Sequence, residues 1–207
     1  MIDKLLNKYS LISDQVKKSE IKIILECVSE VLEQNIAGDI VEMGCYKGTT
    51  SLFIARLLKE LKSNKKLYLY DSFMGLPART SQDGDIIGAE FKAGELRASK
   101  RELIRNFKHA NLVLPVIKKA WFSELTAKDL PKTISLAYFD GDFYESIKDS
   151  FAVCIDKFSS GSIIVVDDYT NTHLIGARQA VDEWVKSNHS NIESVKVAES
   201  LAIIKLV

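Results

Sequence analysis

This chain has only three cysteines, Cys27, Cys45 and Cys154, with no CxxC pair among them. An odd number without paired spacing gives no disulfide framework and no cysteine metal site. Each lies in an apolar segment and reads as a buried free thiol, which suits a reducing, cytoplasmic compartment. Neither sign of charge is in excess, with Lys+Arg 28 against Asp+Glu 28. That balance excludes a global nucleic-acid or membrane-surface role. No apolar run approaches the ~20 residues that a membrane span needs. The opening "MIDKLLNKYSLISDQVKKSE" has no apolar stretch followed by a small-residue cleavage site, so it does not read as a signal peptide. There is no GxGxxG dinucleotide fingerprint, no internal repeat and no low-complexity tract.

What is present suits a single domain over 1–207, with a helical lead-in over 1–37 and a lid-like insertion over 74–107. Apolar residues at Ile21, Ile24, Leu25, Val28, Val31 and Leu32 have helical spacing, with Ser19 as a candidate N-cap. A short strand, "GDIVEMG", leads to a helix over "TTSLFIARLLKELK", then to the strand "KKLYLYDSF". The stretch "MGLPARTSQDGDIIGAEFKAG" breaks the pattern, and a loop of that length in a compact domain is functional or mobile. Helix resumes over 95–107, with Leu96, Leu103, Ile104 and Phe107 as its stripe. "NLVLPVIK" reads as a strand whose Pro115 suggests an edge position. Strand "ISLAYFD", a helix with Ile147, Phe151, Ile155 and Phe158 aligned, strand "SIIVVDD" and helix "GARQAVDEWVKS" follow. "ESVKVAE" and "LAIIKLV" close the chain as strands joined by a tight turn, hence antiparallel neighbours. Alternating strands and helices predict a doubly wound α/β fold, a mostly parallel sheet with a C-terminal antiparallel hairpin and a lid segment.

In such sheets ligands bind beyond the carboxyl ends of the strands, and the candidate residues collect there. The first strand ends in Glu42, followed by Gly44 and Gly48 in "GCYKG"; the second ends in Asp71, Ser72 and Phe73. A carboxylate beside the glycine turn would repel pyrophosphate but suits the cationic end of S-adenosylmethionine. Asp71 stands where a ribose hydroxyl would donate to it. A bare strand–helix turn is the plainer reading of the glycines. Trp121 and Phe122 are candidates to flank an adenine, or core residues.

Four aspartates close the next two strands, Asp140 and Asp142 in "FDGDFYES" and Asp167 and Asp168 in "VVDDY". Those strands are expected to be neighbours, about 5 Å apart. Carboxylates so close need protonation or a divalent cation, and all-oxygen ligands suit Mg²⁺, Ca²⁺ or Mn²⁺. Asp167 and Asp168 can serve one metal only if the strand has turned by Asp168. An extended chain from Asp140 to Asp142 would put both side chains on one face. Asp142 is also a candidate cap for the helix starting near Tyr144. His173 and Arg178 are weaker candidates for acceptor contacts, with solvation or an ion pair to the aspartate cluster as alternatives. Lys65 and Lys66 read as a solvated turn.

"VEMGCYKGTTS", "LYLYDSFMGLP", "AYFDGDFYESIKDS" and "IIVVDDY…GARQAVDEW" resemble the TylF (macrocin O-methyltransferase) family of class I methyltransferases, over about Asp39 to Trp184. The resemblance implies S-adenosylmethionine as cofactor, bound by Glu42, Gly44, Cys45, Tyr46, Gly48, Thr49, Asp71, Ser72, Phe73, Trp121 and Asp140. It also implies Mg²⁺ or Mn²⁺ on Asp140, Asp167 and Asp168, with Asp142 as general base. The expected partner is a hydroxylated small molecule, a sugar above all, with no nucleic acid and no membrane; a homo-oligomer is compatible. Rival readings are an aromatic, catechol-type O-methyltransferase, a metal-dependent phosphohydrolase built on "DGD", and an inactive cofactor-binding module.

Overall fold

A computed structural model of the chain describes residues 1–84 and 91–207. Part of the lid-like insertion, 85–90, thus lies outside the described residues. The strands are β1 (Asp39–Met43), β2 (Leu67–Asp71), β3 (Val116–Lys119), β4 (Ile134–Phe139), β5 (Phe158–Val166), β6 (Ile192–Ala198) and β7 (Leu201–Leu206). They form one sheet in the order β3-β2-β1-β4-β5-β7-β6. All pairings are parallel except β5–β7 and β6–β7. The hairpin expected at the C-terminus is present, with β7 inserted between β5 and β6. Pro115 immediately precedes β3, which is an edge strand, where a missing N–H costs least.

The helices are α1 (Ile2–Lys8), α2 (Lys18–Glu33), α3 (Thr49–Glu60), α4 (Lys100–His109), α5 (Tyr144–Cys154) and α6 (Ile175–Ser187). Strand side chains alternate between two cores, as a period of two requires. Ile40, Leu136, Tyr138, Ile163 and Val165 face α1 to α4. Val41, Ala137, Phe139, Ile164 and Val166 face α5 and α6. The sheet is therefore covered on both sides, and its central strand β4 is buried throughout.

Local readings needed correction where tertiary contacts outweigh periodicity. α2 begins at Lys18, and its first turn is closed by Glu20, whose carboxylate accepts from the Lys17 amide at 2.7 Å; Ser19 is inside the helix and is not its N-cap. α4 starts at Lys100, because the Ser99 hydroxyl accepts from the Glu102 amide. Leu96 lies in the preceding loop at φ 55 and packs with Leu76, Phe143 and Leu174. α5 ends at Cys154, leaving Ile155 exposed and Phe158 as the first residue of β5. Two helices precede β1, since α1 packs on α2 and α3. Lys65 is part-buried and donates to the carbonyls of Ile36 and Gly38, so it is no solvated turn residue.

Candidate active site

Strand register brings the aspartates together. Tyr138 pairs with Val165 and Phe139 with Val166, so Asp140 and Asp167 are the next residues on adjacent strands. The Asp167 amide donates to the Phe139 carbonyl at 2.9 Å, and the Asp140 amide to that of Met43 at 2.8 Å. β5 ends at Val166 and Asp168 has φ 59, so the strand has indeed turned there. The same is true of Asp142, at φ 61, three residues beyond the end of β4. The extended-chain argument for Asp140 and Asp142 therefore fails; a left-handed turn carries Asp142 into the cleft. Nor does Asp142 cap α5. The Tyr144 amide at the start of that helix donates instead to Asp83, at 2.7 Å.

The β1 turn packs directly on these residues. Gly44 has φ +89, and a Cβ there would stand 1.8 Å from the Asp140 carbonyl oxygen, so only glycine lets the two turns touch. Asp71 holds the rest of the loop: Oδ2 accepts from the Cys45 amide at 3.0 Å and the Tyr46 amide at 2.8 Å, and Oδ1 from the Phe73 amide at 2.6 Å.

These elements border a cleft of about 400 Å³ lined by Gly44, Tyr46, Asp71, Ser72, Trp121, Phe122 and all four aspartates. Leu76, Pro77, Phe91 and Leu96, from the segment between β2 and α4, add an apolar wall. Of the expected cofactor residues, Glu42, Cys45, Gly48, Thr49 and Phe73 stand behind this lining. Glu42 is buried and accepts from the Ser51 hydroxyl at 2.6 Å. Phe73 belongs to the core. Gly48 begins α3 against Leu103, and Thr49 bonds Ser13 at 2.6 Å. His173 is exposed and absent from the lining, and Arg178 pairs with Asp182 rather than with the cluster.

A second cavity, about 530 Å³, opens beside Asp167 and Asp168. Asp14, Gln15 and Asn171 border both spaces. The other walls of the second cavity are almost wholly polar, among them Glu20, Thr170, Glu199 and Ser200. Sequence reading missed these residues because nothing local marks them; Ser200 meets Glu20 across 180 positions.

Burial raises all four carboxyls above their ordinary range; repulsion from the others adds to it at Asp140, Asp142 and Asp168, and the charge of Glu20 adds to it at Asp167. Asp140 and Asp142 stand well above that range, and Asp168 is pushed up to about 7. Asp167 is raised less freely, because Tyr138, Ser200 and the Asp168 amide donate to it. None of the six ion pairs among the described residues reaches these aspartates. No three His, Cys, Asp or Glu side chains among the described residues form a ready-made metal cage. The donor set nonetheless fits a hard divalent cation: clustered carboxylate oxygens, partly buried, that no Lys or Arg among the described residues pairs with.

A mostly parallel sheet of this order, switching direction between β1 and β4 and carrying a glycine turn and acidic strand ends, is the class I methyltransferase fold. The solved O-methyltransferase NovP shares it, with TM-score 0.78 over 93% of this chain and 81% of that one, at 24% identity. The chain belongs to the macrocin-O-methyltransferase (TylF) family, which matches residues 8–200. Demethyldecarbamoylnovobiocin O-methyltransferase of Streptomyces niveus is 28% identical over 168 residues, 78% of this chain and 63% of that protein. The 8-demethyl-8-(2,3-dimethoxy-alpha-L-rhamnosyl)-tetracenomycin-C 4'-O-methyltransferase of Streptomyces olivaceus is 26% identical over 165 residues, 76% of this chain and 62% of that protein. The chain spans less than two thirds of the length of these two relatives. No described helix is long and apolar enough to cross a membrane.

Proposed function

We propose that the chain is an S-adenosylmethionine-dependent O-methyltransferase that works with a divalent cation on a hydroxyl of a sugar or glycosylated small molecule. The observation that carries this reading is the convergence of Asp140, Asp142, Asp167 and Asp168 on one cleft shared with the Gly44 turn and Asp71. Gly44, Tyr46, Asp71, Ser72 and Trp121 would hold the cofactor, and Asp140, Asp167 and Asp168 would hold Mg²⁺ or Mn²⁺. When bound, S-adenosylmethionine supplies a methyl group on a sulfonium, and the cation supplies Lewis acidity that lowers the pKa of an alcohol.

The protein supplies the rest. Asp142 takes the proton that the acceptor hydroxyl loses as it becomes a methyl ether. Burial and the charges of Asp168 and Asp167 raise its carboxyl well above the ordinary range, which makes it a stronger base once ionised. The walls of the cleft would orient acceptor and cofactor; methyl transfer requires the reacting atoms in line and ~3–3.5 Å apart. Leu76, Phe91 and Leu96 limit water on the lid side.

The second cavity favours a polyhydroxylated acceptor. Among the described residues Val16 is its one apolar side chain, a poor seat for a catechol ring. The rhamnosyl acceptor in the name of the Streptomyces olivaceus relative points the same way. The test is a screen with methyl-labelled S-adenosylmethionine, Mg²⁺ and pools of glycosides, nucleotide sugars and catechols. Label in a glycoside or nucleotide sugar supports the reading. Label confined to catechols would replace it with the aromatic one. Tight NAD binding with no affinity for S-adenosylmethionine would remove both.

A further inference from the structure

We propose that Tyr138 and Ser200 are positioning residues that orient the Asp167 carboxylate so that Oδ2 would be available to a divalent cation; the inference rests on the metal reading above. Asp167 is 7% exposed and receives three donors. Its Oδ1 accepts from the Ser200 hydroxyl and from the Asp168 amide, each at 2.8 Å. Its Oδ2 accepts from the Tyr138 hydroxyl at 2.5 Å. A carboxylate oxygen offers two lone pairs, so Oδ1 is fully used while Ser200 donates to it, and Oδ2 keeps one free. The same Tyr138 hydroxyl lies 3.3 Å from Asp140 Oδ2, so the Asp167 oxygen with the free pair shares this neighbour with Asp140. A phenol has one hydrogen, so Tyr138 donates it to Asp167 over the shorter contact, and its oxygen abuts Asp140.

Ser200 is held in turn. Its oxygen lies 2.9 Å from Glu20 Oε1, while Glu20 Oε2 accepts from the Lys17 amide at 2.7 Å. A hydroxyl has one hydrogen, so Ser200 serves one carboxylate at a time. The β6–β7 turn and the first turn of α2 therefore meet at the back of Asp167, far from it in sequence. Buttressing of this kind orients a ligand, and its loss typically weakens metal affinity by about 10–100-fold.

The test is Mn²⁺ titration of the whole chain, following free Mn²⁺ by electron paramagnetic resonance with S-adenosylhomocysteine present. Tyr138→Phe and Ser200→Ala should each weaken Mn²⁺ binding by about 10–100-fold. Ser200→Thr keeps the hydroxyl and should restore it. Affinity for S-adenosylhomocysteine, read by calorimetry, should be unchanged in all three, which separates lost positioning from lost folding. Glu20→Gln offers its amide to Ser200, freeing the serine hydrogen for Asp167, and should retain Mn²⁺. Wild-type Mn²⁺ affinity in both Tyr138→Phe and Ser200→Ala would overturn the proposal alone. Failure of the wild-type chain itself to take up Mn²⁺ would overturn the metal reading and the proposal with it.

Discussion

Asp83, in the loop after β2, accepts a hydrogen bond from the Tyr144 amide at 2.7 Å, and so closes the first turn of α5 from a distance of 61 residues. The carboxylate is 1% exposed, and its other oxygen accepts from the Thr80 amide and hydroxyl at 2.8 and 2.9 Å. The contact ties the loop after β2 to the helix that follows the Asp142 turn. Removing it leaves a buried N–H without a partner, so Asp83→Ala should cost about 2 kcal/mol in urea unfolding. A Cβ on Gly176 would stand 2.0 Å from Asp83 Oδ1. Gly176→Ala should therefore destabilise through the same contact, and the double variant should lose less than the two losses added together. Strict additivity would show that Gly176 acts elsewhere.

The Gly44 turn makes a sharper steric prediction. Gly44 and Gly94 share a left-handed backbone, φ +89 and φ +85, but only Gly44 faces a backbone atom; Gly94 has nothing within 4 Å among the described residues. Alanine at either position meets the conformational cost, of order 1–3 kcal/mol. Gly44→Ala must also displace the Asp140 turn. It should lower affinity for S-adenosylhomocysteine at least about tenfold in calorimetry, a difference of roughly 1.4 kcal/mol, while Gly94→Ala leaves it near wild type. Equal behaviour of the two would remove the argument that Gly44 is required for turn-to-turn contact.

The layout of strands and helices was legible because period two and period 3.6 are local properties. The carboxyl-end rule then placed the aspartates correctly, since strand ends are local too. What was not legible depends on contacts remote in sequence. Asp83 replaced Asp142 as the cap of α5, Tyr138 and Ser200 emerged beside Asp167, and Lys65 found two carbonyls. Leu96 has helical spacing with Leu103, yet the Ser99 cap starts α4 after it. Backbone turns were equally hidden: nothing in "DGD" announces φ 61 at Asp142.

Asp71 has a structural duty besides any contact with ribose. Its two oxygens accept three amides of the chain, from Cys45, Tyr46 and Phe73. Asp71→Ala should thus lower affinity for S-adenosylhomocysteine by about tenfold or more, and lower stability by about 2 kcal/mol, since buried amides lose their acceptor. Calorimetry and urea unfolding read the two effects separately. Lost affinity at wild-type stability would mean that the loop holds its shape without Asp71.

The acidic cluster predicts an unusual pH dependence. Burial, then the charge of Asp167, pushes the Asp168 carboxyl up to about 7, and burial pushes Glu42 up to about 8. Both groups titrate near about 4 when unfolded. Across that window the folded chain holds more protons than the unfolded one, so stability falls as pH rises. In a chelator, the melting temperature should be lower at about pH 8 than at about pH 5, and Mg²⁺ should narrow the gap by balancing the cluster. A melting temperature that climbs over the same range in chelator would contradict the assigned shifts.

Asp142 is the most direct test of the chemistry. It lines the cleft beside Asp140 and Asp168, and it makes no hydrogen bond to the amides of α5 among the described residues. Asp142→Asn keeps its shape and removes the proton acceptor. With methyl-labelled S-adenosylmethionine, Mg²⁺ and the best glycoside acceptor from the screen, the variant should transfer label about 10²–10⁴-fold more slowly than wild type. Its affinities for Mn²⁺ and S-adenosylhomocysteine should stay near wild type. Label transfer by Asp142→Asn at the wild-type rate, with both affinities intact, would contradict proton removal by Asp142 and the mechanism built on it.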